Sequence, residues 1–298
     1  LAARHRLGVV LLLEGPIADE INGLRRALGD AALGRIGPHV TLVPPVNVRV
    51  GDLDAALGVV RSAAAACGRP LTVILGPPST FLPANPVVHL PVSGDLPRLT
   101  RLRDAVFTGP LERSLRWPWV PHVTLADDAD PGTIPPALAV LRAYEAVTVV
   151  ERVVVLEERH GPAGRRWEPW ADADLAPRVV VGRGGLDLTL TGGRVLDPAA
   201  ARLVEDAGLA VPAPGVGLVV TGVSEGRLAG VAAAWRTDAG GRVLVVVDPE
   251  RRRSGFGRQL LARVESAVRA AGWDCPTLIA SGPAGFYAAC SGWSAPQA

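Results

Sequence analysis

Apolar and polar positions along the chain switch repeatedly between a period of two and a period near 3.6. Residues 7–13 form an apolar run bounded by Arg6 and Glu14, which predicts a buried strand. Ile17, Ile21, Leu24 and Leu28 recur at helical spacing and predict a helix over 17–28. A proline-led, β-branched stretch predicts a strand beginning at Val40. The alanine-rich stretch 53–67 reads as a helix, 71–75 and 87–92 as strands, and 96–107 as a helix. The stretch 121–125 reads as another strand, followed by a helix over 134–143 and one long β-branched strand over 147–156.

Around 172–185 the composition turns to Ala, Asp, Pro, Gly and Arg, which marks a boundary near Pro177. Beyond it come a strand at 186–190, a short helix at 198–207 and a hairpin of 216–223 with 228–235 about Ser224-Glu225-Gly226-Arg227. Strand 242–247 leads to an amphipathic helix over 258–271, with Leu260, Leu261, Val264 and Val268 on one side. A strand at 277–280 and a helix start at 285–290 close the pattern. The order predicts an α+β first domain, residues 1–177, and a smaller α/β second domain, residues 178–298.

Composition narrows the chemistry. The 298 residues are 48% hydrophobic types, enough for two cores. A net charge of +2 gives no strong overall field for nucleic acid or acidic membranes. All 31 basic residues are arginine, which removes Schiff-base chemistry and the phosphate-loop lysine and leaves arginine for bidentate phosphate recognition. The lack of lysine fits a GC-rich coding bias. Cys67, Cys275 and Cys290 are odd in number and lack metal-ligand spacing, so a disulfide framework is not expected and a cytoplasmic setting fits best. No run reaches membrane-span length and no small-residue cleavage site follows residues 7–13. The chain has no methionine, which suggests a trimmed natural start.

One pentapeptide occurs twice. Pro38-His39-Val40-Thr41-Leu42 and Pro121-His122-Val123-Thr124-Leu125 begin 83 residues apart, too far for a solenoid period and suited to equivalent places in two halves of one domain. On a strand His39 shares a face with Thr41, and His122 with Thr124, while the valines and leucines point into a core. If the halves face each other, a neutral histidine can take a proton from the attacking oxygen and a protonated one can supply the leaving oxygen. The threonine hydroxyls can steady charge on the non-bridging oxygens, and no metal is required. A lone histidine beside a threonine is usually a satisfied structural residue; two identical copies among five histidines argue for function. His89, in the apolar 87–92 strand, reads as structural or as a cleft neighbour. His160, with Arg159, Arg165, Arg166 and Trp167, lies in a stretch read as a loop that could bind phosphate or stack a base, a solvated turn being the plainer alternative.

These motifs resemble those of the 2H phosphoesterase superfamily, in its 2′-5′ RNA ligase-like or cyclic phosphodiesterase branch, over residues 1 to about 176. The resemblance implies two pseudo-symmetric lobes with a cleft between them. It implies His39 and His122 as the acid–base pair and Thr41 and Thr124 on the phosphate. It implies an RNA end or a cyclic nucleotide as substrate, with no cofactor and no metal in this domain.

The second domain carries its own signal. Val247 to Gly257 forms a glycine-containing turn between a strand and a helix N-terminus, a place where free N–H groups and the helix dipole favour an anion. A solvated basic turn is the alternative. Arg252, Gly255 and Gly257 resemble the acetyl-CoA-binding motif of GNAT-type N-acetyltransferases. That resemblance implies a mixed sheet, acetyl-CoA as cofactor held by Arg252, Arg253, Ser254, Gly255, Phe256 and Gly257, an amine acceptor, and Tyr287 as the acid that protonates the departing thiolate. Two features depart from the family. Tyr287 to Gly292 is one residue longer than expected, and Ser281-Gly282-Pro283 stands where an asparagine is common. Glu225 and Asp248 are possible general bases, though each reads more simply as a surface carboxylate. The sequence thus predicts a bifunctional enzyme. A phosphodiesterase with a CoA-binding sensor domain and a non-catalytic RNA-end binding module are the rival readings, the near-neutral charge weighing against the last.

Overall fold

The computed structural model describes residues 3–162, 164–182, 187–213, 215, 217–238, 240–273, 278–281 and 284–290. The expectations that fall on Cys275, Gly282, Pro283, Gly292 and Trp293 lie outside the described residues, as do the predicted strand starts at Leu186, Val216 and Thr277. The chain forms two compact units: Leu1–Pro169 with Leu175–Pro177, and Trp170–Asp174 with Arg178–Ala298.

The first unit repeats one order of elements. β1 (Arg4–Leu12), α1 (Pro16–Ala27), β2 (His39–Arg49), α2 (Leu53–Cys67) and β3 (Leu71–Leu75) make one pass. After the short β4 (Ser79–Phe81), the second pass is β5 (Asn85–Gly94), α3 (Leu96–Val106), β6 (His122–Ala126), α4 (Ile134–Val140) and β7 (Ala146–Val150). β8 (Arg152–Gly161) and β9 (Gly164–Asp174) complete a sheet of order β7-β3-β5-β6-β2-β1-β8-β9, with β4 on β5. The two strands that begin with the repeated histidines are therefore neighbours at the middle of the sheet.

Local chemistry explains the boundaries. α1 starts at Pro16, whose missing N–H costs nothing there, after Gly15 at φ 63°. α2 ends at Gly68, in the left-handed conformation that a glycine adopts without a Cβ penalty. The expected single strand over 147–156 is broken at Glu151. β7 pairs with β3 and β8 with β1, so the chain changes neighbours there although its apolar run continues. The stretch around His160 is not a loop but a hairpin of β8 and β9. β9 escaped the pattern because Arg165, Arg166, Trp167 and Glu168 give it no apolar alternation.

The sheet's two faces differ. Leu7, Val9, Leu11, Val40, Leu42, Val123 and Leu125 are fully buried on the helix-covered core side. On the other face Val10 stands opposite Thr41 and Leu12 opposite His39. Val10 packs there with Val154, Leu156, Ile36 and Trp167.

The second unit holds β10 (Val179–Val181), β11 (Leu188–Gly193), α5 (Pro198–Asp206), β12 (Gly217–Ser224), β13 (Arg227–Thr237), β14 (Gly240–Val247), α6 (Phe256–Ala270), β15 (Leu278–Ser281) and α7 (Ala284–Ala289). Its sheet runs β10-β11-β12-β13-β14-β15 in sequence order, antiparallel except for the parallel β14–β15 pair. α6 lays Phe256, Leu260, Leu261, Val264 and Val268 on one face of this sheet, and α5 covers the other with Ala200 and Val204. Asp172 accepts the backbone N–H groups of Arg194 and Val195, and Asp197 caps α5 by accepting from Ala199 and Ala200.

Candidate active site

β2 and β6 run antiparallel and pair at Val40 and Val123. That register sets His39 opposite Thr124 and Thr41 opposite His122, all four on the face away from the buried valines. The two imidazoles are then diagonal neighbours with backbone positions about 7–8 Å apart, a spacing that leaves room for one phosphate between them. All four side chains keep part of their surface in solvent.

Each histidine is fixed in the same way. Nδ1 of His39 lies 2.8 Å from the carbonyl of Gly37, and Nδ1 of His122 lies 2.7 Å from the carbonyl of Val120. A carbonyl only accepts, so Nδ1 carries the hydrogen in both rings and Nε2 is left as the group that gains or loses a proton. Trp119 donates its indole N–H to the carbonyl of Thr41 at 2.7 Å, so the segment leading into the second motif grips the strand of the first.

The environments of the two rings are not equal. Desolvation by the surrounding protein is the largest influence on His39, and with the nearby Arg25 guanidinium it outweighs the Gly37 hydrogen bond; the ring is pushed down to about 4. Arg25 is itself buried, with Nε on Asp30 at 2.7 Å and Nη1 on Asn22 and the carbonyl of Ile36. Desolvation also lowers His122, but there the Val120 hydrogen bond and the charge of Asp127 both oppose it.

His89 joins this group. Its strand position pairs with Thr124, so its side chain shares the face of the repeated motifs. Its ring stacks on Phe81 at 4.0 Å between centroids and meets the edge of His122 at 5.3 Å. It is 3% exposed, its Nδ1 is buried with no hydrogen-bond partner among the described residues, and burial pushes it down to about 4, so it is neutral across the physiological range.

In the second unit a cavity of about 740 Å³ lies where β14 meets the start of α6. Of the residues that the motif names, Arg252, Arg253, Gly255, Phe256 and Gly257 line it and Ser254 is not among the lining residues. Gly255, at φ 83°, precedes α6 without a side-chain cap, so among the described residues no capping side chain claims the first N–H groups of this 15-residue helix. A Cβ on Gly257 would come within 3.0 Å of the Phe286 ring. Phe256 lines the cavity while its buried side chain also belongs to the core of this unit. Tyr287 is fully buried, and its hydroxyl accepts the N–H of Val245, a cavity-lining residue, at 3.0 Å. Burial raises its pKa to about 12, so it keeps its proton. Glu225 pairs with Arg251, and Asp248 caps the following turn through the N–H of Glu250.

Residues 13–162, which span both histidine motifs, match the family model of the 2′-5′ RNA ligase superfamily. The chain belongs to that superfamily. Within this member, residues 217–290 match the model of an acetyltransferase (GNAT) domain. A Bacillus cytotoxicus protein described as a phosphoesterase is 31% identical over 121 residues, which cover 41% of this chain and 69% of that protein. Among solved structures, Escherichia coli LigT complexed with 3′-AMP is 18% identical and matches 58% of this chain and 98% of its own, with a TM-score of 0.42. An aminoglycoside acetyltransferase from an uncultured soil metagenomic sample, complexed with trehalose, is 13% identical over 37% of this chain and 91% of its own, with a TM-score of 0.30.

The superfamily motifs were legible in the sequence; the residues around them were less so. Trp119 carried no signal beyond an indole close to the second motif. His89 stood in an apolar strand, and only the pairing of β5 with β6 brings it to His122. In the second unit, Ala207, Leu209, Arg258 and Phe286 also line the cavity and had not been singled out for it. Among the described residues, no helix is long and apolar enough to cross a membrane.

Proposed function

We propose that residues 1–177 form a metal-independent phosphodiesterase that opens 2′,3′-cyclic phosphates or cleaves 2′-5′ phosphodiesters at RNA or nucleotide ends. The supporting observation is the antiparallel register that pairs each motif histidine with the other motif's threonine, both rings held by Nδ1 with Nε2 left for chemistry. His39 acts as the general base and its Nε2 takes a proton from the attacking water. The water oxygen bonds to phosphorus as the P–O bond to the ribose breaks. His122, protonated on Nε2, gives its proton to the departing 2′ or 3′ oxygen. Thr41 and Thr124 donate to the non-bridging oxygens, where charge builds. The surroundings support these roles: burial, aided by Arg25, disfavours a proton on His39, while on His122 the same effect of burial is opposed by the Val120 hydrogen bond and by Asp127. The test is hydrolysis of 2′,3′-cyclic nucleotides and 2′-5′ dinucleotides in chelator, with product isomers identified. His39→Ala and His122→Ala should each lose about a hundredfold or more while circular dichroism is retained. Activity that survives both changes, or that vanishes with EDTA, contradicts the mechanism.

For residues 178–298 the reading is an acetyl-CoA-dependent N-acetyltransferase. The residues fit the group. The uncapped start of α6 and Arg252 and Arg253 would hold its phosphates, with Ser254 at the turn, and Gly257 has no Cβ to crowd the Phe286 ring on the cavity wall. When bound, acetyl-CoA supplies the acyl group for an amine acceptor. Tyr287 keeps its proton and is the candidate acid. Its hydroxyl, however, is already held by Val245 N–H deep in the core. That observation favours a second reading, in which the domain senses CoA without transferring acetyl groups. Calorimetry with CoA tests the shared part; turnover on a panel of amines, compared with Tyr287→Phe, separates the two.

A further inference from the structure

A second groove, of about 450 Å³, lies in the first unit beside the histidine site. One end is Gly37, whose carbonyl orients His39. Its walls carry Arg26 from α1, Arg35 from the segment leading to β2, and Arg166 and Trp167 from β9. The N–H of Trp167 donates to the carbonyl of Arg35 at 2.8 Å, which holds these two walls together.

The three guanidiniums differ from their neighbours. Arg6 and Arg165 pair with Glu158, and Arg159 with Glu157. The guanidiniums of Arg26, Arg35 and Arg166 have no ion-pair or hydrogen-bond partner among the described residues. One carboxylate, Glu168, also lines the groove and leaves a local excess of positive charge. Three unpaired arginines against one acid give the groove a positive potential that favours an anion. Trp167 is half-buried and packed over Val10, Val154 and Leu156, so its ring is held rigid at the groove wall. β9 lies three strands from β2, about 14 Å at the usual strand spacing, and the face between them is the one that bears His39 and Thr41. Free guanidiniums beside a fixed aromatic ring are what a single nucleic-acid strand needs: charge along its backbone and a flat surface for a base.

We propose that this groove is a subsite for the nucleotides adjoining the reacting phosphodiester, so that the protein prefers an oligoribonucleotide end to a mononucleotide. The identity of the reacting group rests on the phosphodiesterase reading above; the groove's affinity for a strand does not. Two measurements keep them apart. The first compares kcat/KM for a tetraribonucleotide ending in a 2′,3′-cyclic phosphate with that for a 2′,3′-cyclic mononucleotide. The second follows fluorescence anisotropy of a labelled tetraribonucleotide ending in a 3′-phosphate, which reports binding without turnover.

The unaltered protein should favour the oligonucleotide, and Arg35→Gln/Arg166→Gln should cut that preference at least tenfold. The same double variant should weaken tetranucleotide binding at least tenfold and flatten the slope of log Kd against log salt by about 1.4, or about 0.7 for each lost phosphate contact. Arg26→Gln alone, an exposed change on α1, should move both readouts the same way by less. Equal efficiency on the two substrates, or binding and salt slope unmoved by the double variant, overturns the proposal and leaves the cyclic-phosphate chemistry standing. Strand binding that is lost in the double variant of a protein that hydrolyses no ester upholds the groove and sinks the phosphodiesterase.

Discussion

The sharpest test of the paired-histidine mechanism is the pH dependence of kcat/KM on a 2′,3′-cyclic nucleotide. A ring that ionises near 4 carries a proton in about one molecule per thousand at pH 7. Were His39 the acid, that scarcity would cost a factor of about a thousand, or about 4 kcal/mol of barrier. As the base it is fully available. His122 must be protonated to act as the acid, and its pKa lies below the ordinary 6.5. The profile should therefore be a bell: an acid limb near pH 4 from His39, an alkaline limb below 6.5 from His122, and an optimum between them. By pH 8 the rate constant should be at least about thirtyfold below the plateau, from a tenfold fall per unit beyond the alkaline limb. Asp127→Asn removes the charge that supports the His122 proton and should move the alkaline limb to lower pH while the acid limb stays. The assay is initial-rate hydrolysis from pH 3.5 to 9 at constant ionic strength, in chelator. An optimum above pH 7, or an acid limb that shifts with Asp127→Asn, refutes this division of roles.

Four further outcomes are expected. Thr41→Val and Thr124→Val should each lower kcat by about a hundred- to a thousandfold with an unchanged unfolding midpoint, because each removes one donor to the phosphoryl oxygens; a change in KM alone would remove the threonines from the transition state. His39 and His89 are neutral in the fold to about pH 4 but titrate at 6.5 when unfolded, so their contribution to stability is complete above 6.5 and drains as pH falls through 4; Tm should drop over that window, and His89→Phe should flatten the drop. Arg25→Met leaves buried Asp30 without its partner and should cost about 3–5 kcal/mol in denaturant unfolding, against little change if the pair contributes nothing. Gly255→Glu should abolish CoA binding in calorimetry while Gly255→Asn, which tolerates the left-handed conformation, largely keeps it; equal loss in both would point to backbone strain rather than a blocked pyrophosphate turn.

What could be seen in the sequence, and what could not, divides by the range of the interactions involved. The faces of His39, Thr41, His122 and Thr124 follow from period-two alternation within five residues, and the structure buries Val40, Leu42, Val123 and Leu125 accordingly. The glycine turn before α6 was readable for the same reason, since Gly255 and Gly257 act within one turn of backbone. Depth was not readable: Phe256 and Tyr287 were placed at a cofactor site by motif, and both side chains belong to the core cluster. Nor were changes of neighbour. The apolar run across Glu151 looks continuous, yet it serves two separate strand pairings. β9 looked like a loop because an edge strand with Arg165, Arg166 and Glu168 need not alternate, and its hairpin is what carries Trp167 to the basic groove.

The two pentapeptides are identical, and each reproduces the other's backbone contact: a ring Nδ1 on the carbonyl two residues back. Two identical imidazoles would share one proton without favouring either ring, so neither would be marked as acid or as base. The difference between them comes from outside the repeat. Arg25 reaches His39 from α1, in the first pass of the fold, with its charge held in place by Asp30, Asn22 and the Ile36 carbonyl. Asp127 acts on His122 from just past the end of β6. Opposite charges beside the two rings push the proton to one side. Reversing Asp127 to arginine should therefore impair hydrolysis more than Asp127→Asn does, by making the two surroundings alike in sign. If the arginine variant matches the asparagine variant in rate and profile, the charge beside His122 is not what divides the roles.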